Sequence, residues 1–192
     1  MRDPEATRRR LLDAATAEFA AYGIAGARVD RIAETAGCNK QSIYGHFNSK
    51  EGLFDAVYDA MVVQTISSVV FEAADLPAYA GRLFDWYSAH PEVLRLATWQ
   101  QLERGPAGAH SATTAAVTAE KIGQLRAAQQ AGTVSDAVPA ELLLLLIVRL
   151  STAQLDLAGM DPQQGALLRL ATVEAVRRLV QPVPAGSGAR DV

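Results

Sequence analysis

The segment Arg28–Leu53, RVDRIAETAGCNKQSIYGHFNSKEGL, holds two short amphipathic patterns separated by a glycine. Val29, Ile32, Ala33 and Ala36 fall at i, i+3, i+4 and i+7, one face of a short helix. Gly37 stands where a helix end takes the left-handed conformation, and Asn39, two residues on, is a good N-cap for a new helix. One helix therefore stops and another starts within about four residues. In the second, only Ile43 and Phe47, four apart, are suited to burial, which leaves Lys40, Gln41, Ser42, Gly45 and His46 largely outward. A helix with so little apolar surface and so many donors in its first turns suits a major groove.

Outward from this helix-turn-helix pattern, the whole chain reads as helical. Asp3-Pro4 is a cap and first-turn pair for a helix running to about Tyr22 and ending at Gly23, with Leu11 or Leu12, Ala15, Phe19 and Tyr22 on its buried face. Ser49 caps a long fourth helix from Lys50 to about Ala74, although Gly52 occupies the position where a glutamate would complete a capping box. Leu53, Phe54, Val57, Met61, Ile66, Val69 and Val70 put apolar surface on more than one side of it, so it is expected to touch both the first part and the rest. Asp75-Leu76-Pro77 and His90-Pro91 mark the next two starts, the sixth helix running from about Glu92 to Arg104. After the loop-like stretch Gly105–His110, a seventh helix is expected from about Ser111 to Ala131. An eighth opens at Pro139 and continues to about Ala158, and a ninth follows Asp161-Pro162 and ends before Pro182. With no strand pattern, repeat or long linker, the fold class is all-α, of about nine helices. The expected organisation is a helix-turn-helix headpiece over residues 1–49, a larger helical part over 50–181, and a flexible tail over 182–192.

The composition bounds function more weakly. Of 192 residues, 49% are hydrophobic and 20% charged, enough for a sizeable core and unlike a disordered tail. The net charge of −3 does not advertise nucleic-acid binding. Residues 1–55 hold 8 of the 18 Lys+Arg and 8 of the 21 Asp+Glu, so the headpiece is neutral and any attraction to phosphate rests on local placement. Cys38 is the single cysteine and cannot form an intrachain disulfide, and the arginines at 2 and 8–10 lead into an amphipathic helix rather than a signal peptide. A cytoplasmic location is expected, and no membrane partner. Leu142–Val148, the most apolar run, lies between Glu141 and Arg149 and is far too short to span ~30 Å of hydrocarbon. His46, His90 and His110 lie in different segments, with no Cys/His cluster for a metal and no phosphate-cradling loop, so neither an enzyme nor a cofactor is expected.

The chain resembles the TetR/AcrR-type family of bacterial transcriptional regulators over about residues 7–57. The pattern comprises a first helix ending in Phe19–Gly23, Ile32–Gly37, Cys38, the polar cap Asn39, Tyr44 to Phe47, and Ser49 to Leu53. The resemblance implies a double-stranded, palindromic DNA operator as partner, with Tyr44 and Lys50 as the phosphate-contacting tyrosine and lysine and a phosphate contact from one or two of Arg8, Arg9 and Arg10. It also brings His46 into consideration as a phosphate or groove contact. Arg28 replaces the Ser or Thr cap common at the start of helix two and gains a possible phosphate contact; Gly45 replaces a larger residue. Among the base readers, Gln41 comes first, because its amide pairs bidentately with adenine, then Lys40 toward guanine, with Ser42 less discriminating.

For the rest of the chain, residues and resemblance point the same way. Helix eight is apolar all round from Leu142 to Val148, more than its own domain needs, and helix nine carries a stripe of Leu168, Ala171, Ala175 and Leu179. A homodimer through these two helices is expected, with Leu142, Leu145, Leu146, Leu168, Ala175 and Leu179 at the interface. The resemblance further implies an apolar or aromatic small-molecule effector, for which Tyr58, Met61, Thr65, Trp86, Tyr87, His90, Trp99 and Gln101 are the candidate lining residues. The rival expectation is a helical adaptor that uses the Tyr44 region for protein contacts and binds no DNA.

Overall fold

The computed structural model describes residues 4–105, 112–153 and 161–182. Among them lie α1 (Pro4–Gly26), α2 (Val29–Thr35), α3 (Lys40–Phe47), α4 (Lys50–Ser68), α5 (Leu76–Ala89), α6 (Pro91–Arg104), α7 (Ala112–Gln130), α8 (Ala140–Ser151) and α9 (Pro162–Val180), and no strand. The all-α class expected from the sequence is the class observed. Asp3, residues 106–110 of the expected loop, and the tail from residue 183 lie outside the described residues.

The helices form two compact units that do not follow chain order. Met1–Ile66 groups with His90–Ala115, and Ser67–Ala89 with Ala116–Val192. A cut at residue 49 would separate α4 and α6 from the three headpiece helices, whereas all five share the first unit. Its core holds Leu11, Ala15, Phe19, Ile32, Ile43, Leu53 and Phe54. Phe19 of α1 meets Phe54 of α4 edge-on at 5.1 Å, the preferred aromatic geometry.

Two expectations for α1 need correction. The helix does not end at Gly23; the glycine, at φ 72° and ψ −177°, kinks the chain, which then makes a further turn to Gly26. Tyr22 is not buried either, being 53% exposed with the Arg31 guanidinium 4.4 Å above its ring. That cation supplies the cover a core would have given. At α4, Ser49 Oγ accepts from Gly52 N–H at 2.9 Å as the cap requires. A side chain at Gly52 would run into the Phe47 carbonyl oxygen, which explains why glutamate is missing from that box.

In the second unit, α5 packs on α8 and α9 around Leu76, Tyr79, Leu83, Leu125, Leu143, Ile147 and Val176. Asp75 caps α5, its carboxylate accepting from Ala78 N–H at 3.1 Å. At α9, Asp161 and Gln164 form a reciprocal capping box at 2.8 and 3.1 Å. Two helices stop sooner than periodicity implies. α4 ends at Ser68, not near Ala74, where Val69 enters the core and the Val70 carbonyl accepts from Arg82 instead of from a helical N–H. α8 ends at Ser151, not near Ala158: the Ser151 and Thr152 hydroxyls donate to the Ile147 and Arg149 carbonyls, and Thr152 leaves the helical region.

Candidate nucleic-acid interface

The turn between α2 and α3 forms as the sequence dictates. Gly37 takes φ 64°, and the Asn39 carboxamide accepts from Ser42 N–H at 2.9 Å and from Ser42 Oγ at 2.8 Å. Ile43 and Phe47 anchor α3 from beneath, at 0% and 7% exposure. Its other end closes at Asn48, which takes φ 64° and is the one non-glycine with positive φ among the described residues. The helix is thus held by two side chains and two caps, with most of its remaining residues exposed.

That surface carries the predicted contacts. Lys40, Gln41, Tyr44, Gly45 and His46 are exposed, while Ser42 is half-buried and its hydroxyl is engaged by Asn39. Lys40 pairs with Asp30 at 3.0 Å, and this hydrogen bond and charge hold its ammonium above the ordinary lysine value. Tyr44 is 44% exposed, one position after the fully buried Ile43. Lys50, half-buried, donates to the Ala25 and Ala27 carbonyls, both at 3.3 Å, so in the free protein it holds the link between α1 and α2. Arg28 is exposed at the N-cap of α2 and makes no side-chain cap; its backbone N–H donates to Glu18 at 2.8 Å. Among the arginines of α1, Arg8 lies 5.6 Å over the Phe47 ring.

Several residues that position α2 and α3 carry no signal in the sequence pattern. Glu18, 9% exposed on α1, takes a forked hydrogen bond from Arg31 of α2, with Nε at 2.9 Å from Oε1. Burial pushes the Glu18 carboxyl up, but the hydrogen bonds from Arg31 and from the Arg28 N–H, with both positive charges, outweigh it and leave the group below the ordinary carboxylate value. A second tie comes from α6. Beyond the Gly23 kink, the Ile24 and Ala25 N–H groups begin a new helical turn with no carbonyl to accept them, and the Glu103 carboxylate takes both, at 2.9 and 2.7 Å. Trp99 Nε1 donates to the Ala20 carbonyl at 3.4 Å, and a Cβ on Gly23 would come within 2.9 Å of its ring. α6 therefore caps α1 in trans across 78 and 79 residues of sequence.

The other candidate sets are distributed less simply. Tyr58, Met61, Thr65, His90, Trp99 and Gln101 lie in the first unit, and Trp86 and Tyr87 in the second. The eight are therefore not gathered within one unit; Met61 is buried, Gln101 is exposed, and Trp99 is engaged with α1. On α8, Leu142, Leu145 and Leu146 are 52%, 49% and 41% exposed. On α9, Leu168, Ala175 and Leu179 are half-buried, and Leu179 packs against its own core. The large apolar exposure on that helix lies at Leu167 and Leu170, 66% and 61%, which the stripe through Leu168 passes over.

A two-anchor helix with a polar outer face, set by a glycine turn against a supporting helix, defines a helix-turn-helix DNA-binding head. Residues 11–57 match the family described as bacterial regulatory proteins, tetR family, and residues 75–178 match the tetracyclin repressor-like C-terminal domain. The chain is 43% identical over 151 residues to the HTH-type transcriptional repressor SCO4008 of Streptomyces coelicolor, covering 78% of this chain and 79% of that protein. It is 34% identical to the HTH-type transcriptional repressor Rv1474c of Mycobacterium tuberculosis, covering 90% and 94%. The crystal structure of SCO4942 from Streptomyces coelicolor superposes with a TM-score of 0.79 at 37% identity, over 92% of this chain and 99% of that one. The chain belongs to the TetR family of bacterial transcriptional regulators, and it is a DNA-binding regulator. No helix among the described residues is long and apolar enough to cross a membrane.

Proposed function

We propose that the chain acts as a dimeric repressor that holds a palindromic operator through α3 and releases it when a small molecule binds. The observation that carries the DNA reading is the outward face of α3: Gln41, Tyr44 and His46 stand exposed on a helix fixed by Ile43 and Phe47. Gln41 reads an adenine edge, Lys40 contributes toward guanine, and Tyr44, with Arg28 and Lys50, reaches phosphate and fixes the register. For Lys50 and Lys40 this means exchanging the Ala25 and Ala27 carbonyls, and Asp30, for DNA. The dimer reading is supported by five exposed leucines on α8 and α9, since large apolar side chains on the outer faces of two neighbouring helices are covered by a partner. Two-fold symmetry then matches half-sites about 34–36 Å apart. Repression is supported by the names of SCO4008 and Rv1474c, and a DNA partner favours a cytoplasmic site of action.

Selection of bound sequences from random duplex DNA tests this reading at one stroke. A palindromic consensus is the expected outcome. Enrichment of no sequence, or of an isolated half-site only, contradicts the dimeric operator complex.

A further inference from the structure

The second unit contains two partly buried cations, Lys121 and Arg82, that no carboxylate among the described residues pairs with. Lys121 of α7 is half-buried, and its Nζ donates to Tyr79 Oη of α5 at 2.9 Å. The ammonium lies 5.1 Å from the centroid of the Tyr79 ring and 5.5 Å from that of Phe71, and the two rings meet edge-on at 4.9 Å. Tyr79 is 1% exposed, so its phenol, already accepting from Lys121, keeps an O–H that meets no acceptor among the described residues. One turn along α5, Arg82 donates from Nη2 to the Val70 carbonyl at 3.0 Å, while its buried Nε has no hydrogen-bond partner.

Neither cation forms an ion pair with a carboxylate among the described residues, and the acids nearest in sequence are engaged elsewhere. Asp85 is held by Arg169 at 2.6 Å, Asp75 caps α5, and the exposed Glu120 accepts from Gln124. Burial pushes the Lys121 ammonium down, only partly offset by the charge of Glu120, and pushes the Tyr79 phenol up, which keeps it a neutral donor. Buried donors and charges are ordinarily paired, and a desolvated cation outside any ion pair is a mark of a ligand site.

We propose that Lys121, Tyr79 and Arg82 anchor the carboxylate of a small organic acid whose carbon skeleton lies against Phe71 and the adjoining core. A carboxylate supplies an ion-pair partner for the two cations and acceptors for Arg82 Nε and the Tyr79 O–H, and the aromatic surroundings suit an apolar body rather than a free inorganic ion. As the class of effector, this rests on the proposed ligand-responsive function; as a binding site, it does not.

The test is calorimetric titration of the whole chain with decanoate and with 2-naphthoate, each beside its neutral primary amide, and with inorganic phosphate. At least one acid should bind saturably, with its amide about tenfold or more weaker. Lys121→Met should weaken the acid by a similar factor, Lys121→Arg should restore most of it, and Tyr79→Phe should lose a smaller share. Lys121→Met removes a costly half-buried charge and should melt no lower than the wild type, and the acid–amide comparison needs no variant at all. No binding of either acid, an amide equal to its acid, or full binding by Lys121→Met overturns the site. Phosphate binding as tightly as the acids overturns the organic-acid assignment. Adding operator DNA separates the two claims: acid binding without DNA release contradicts the effector reading and leaves the site standing, whereas DNA release unaltered in Lys121→Met contradicts the site and leaves the effector reading standing.

Discussion

Two solvent-facing helical surfaces of this chain are built on opposite principles. On α3 the outer face is made of Gln41, Tyr44, Gly45 and His46, polar or small, above the two buried anchors Ile43 and Phe47. On α8 and α9 the outer face carries Leu142, Leu145, Leu146, Leu167 and Leu170 above an equally well-buried layer of Leu143, Leu144, Ile147 and Val176. Both surfaces are exposed in the single chain, but the first gains nothing from a dry partner and the second loses by staying wet. The contrast supports the proposed reading, a charged, hydrated partner for α3 and a second copy of the chain for α8 and α9.

The largest effect should come from making the second surface resemble the first. Replacing Leu145 and Leu170 together by Glu should leave both units folded and reduce the mass in sedimentation to the 20.4 kDa of one chain. Operator affinity should fall by about a hundredfold or more, because one head then binds without the other. An unchanged mass would place the dimer elsewhere or deny it.

Changes on the first surface should be smaller and salt-coded. Tyr44→Phe and Lys50→Ala should each weaken binding about evenly across DNA sequences and reduce the slope of log K against log salt, by about one unit for the lysine. Lys50→Ala should also lower the melting temperature, because Nζ bridges the Ala25 and Ala27 carbonyls in the free protein. An undiminished salt slope in Lys50→Ala would remove that residue from the interface.

Behind α3, the supports should respond through stability. Glu103→Ala leaves the Ile24 and Ala25 N–H groups without their cap and should cost about 1–2 kcal/mol in denaturant unfolding, with Glu103→Gln recovering part. Glu18 has a sign that can be worked out. Its folded pKa lies below the unfolded one, so its contribution is present above the ordinary carboxylate value and fades as pH falls through the lowered value. Glu18→Gln should therefore flatten the acid limb of the stability–pH curve and leave any alkaline limb alone. Smallest of all, Gly45→Ala should raise stability by about 0.5–1 kcal/mol, because its Cβ would meet nothing within 4 Å. If α3 lies close against DNA, the same change should weaken operator binding.

The parts of this architecture that were legible in the sequence are those encoded locally. The Gly37 turn, the Asn39 and Asp161 caps and the burial of Ile43 and Phe47 each depend on residues within about a turn of one another, and each stands where spacing put it. The supports of α3 depend on residues far apart. Nothing in the pattern around Glu103 or Trp99 says that they meet Gly23 some eighty residues earlier and hold α1. Tyr22 has the helical spacing of a core aromatic, yet it lies at the surface under the Arg31 guanidinium, a contact its own neighbourhood in the sequence does not encode. On α9 the stripe through Leu168 and Leu179 is half-buried while Leu167 and Leu170 beside it stand exposed, because periodicity alone does not say which of two apolar faces a helix buries.

The most direct test of the central claim, that the outer face of α3 reads base sequence, is the affinity of Gln41→Ala for two duplexes: the selected operator, and the same operator with its most constrained adenine replaced in both half-sites. Fluorescence anisotropy at one fixed salt concentration reads both. The wild-type chain should prefer the selected duplex by about tenfold or more, and Gln41→Ala should lose that preference while binding the altered duplex as the wild type does. A Gln41→Ala chain that keeps the full preference contradicts the account.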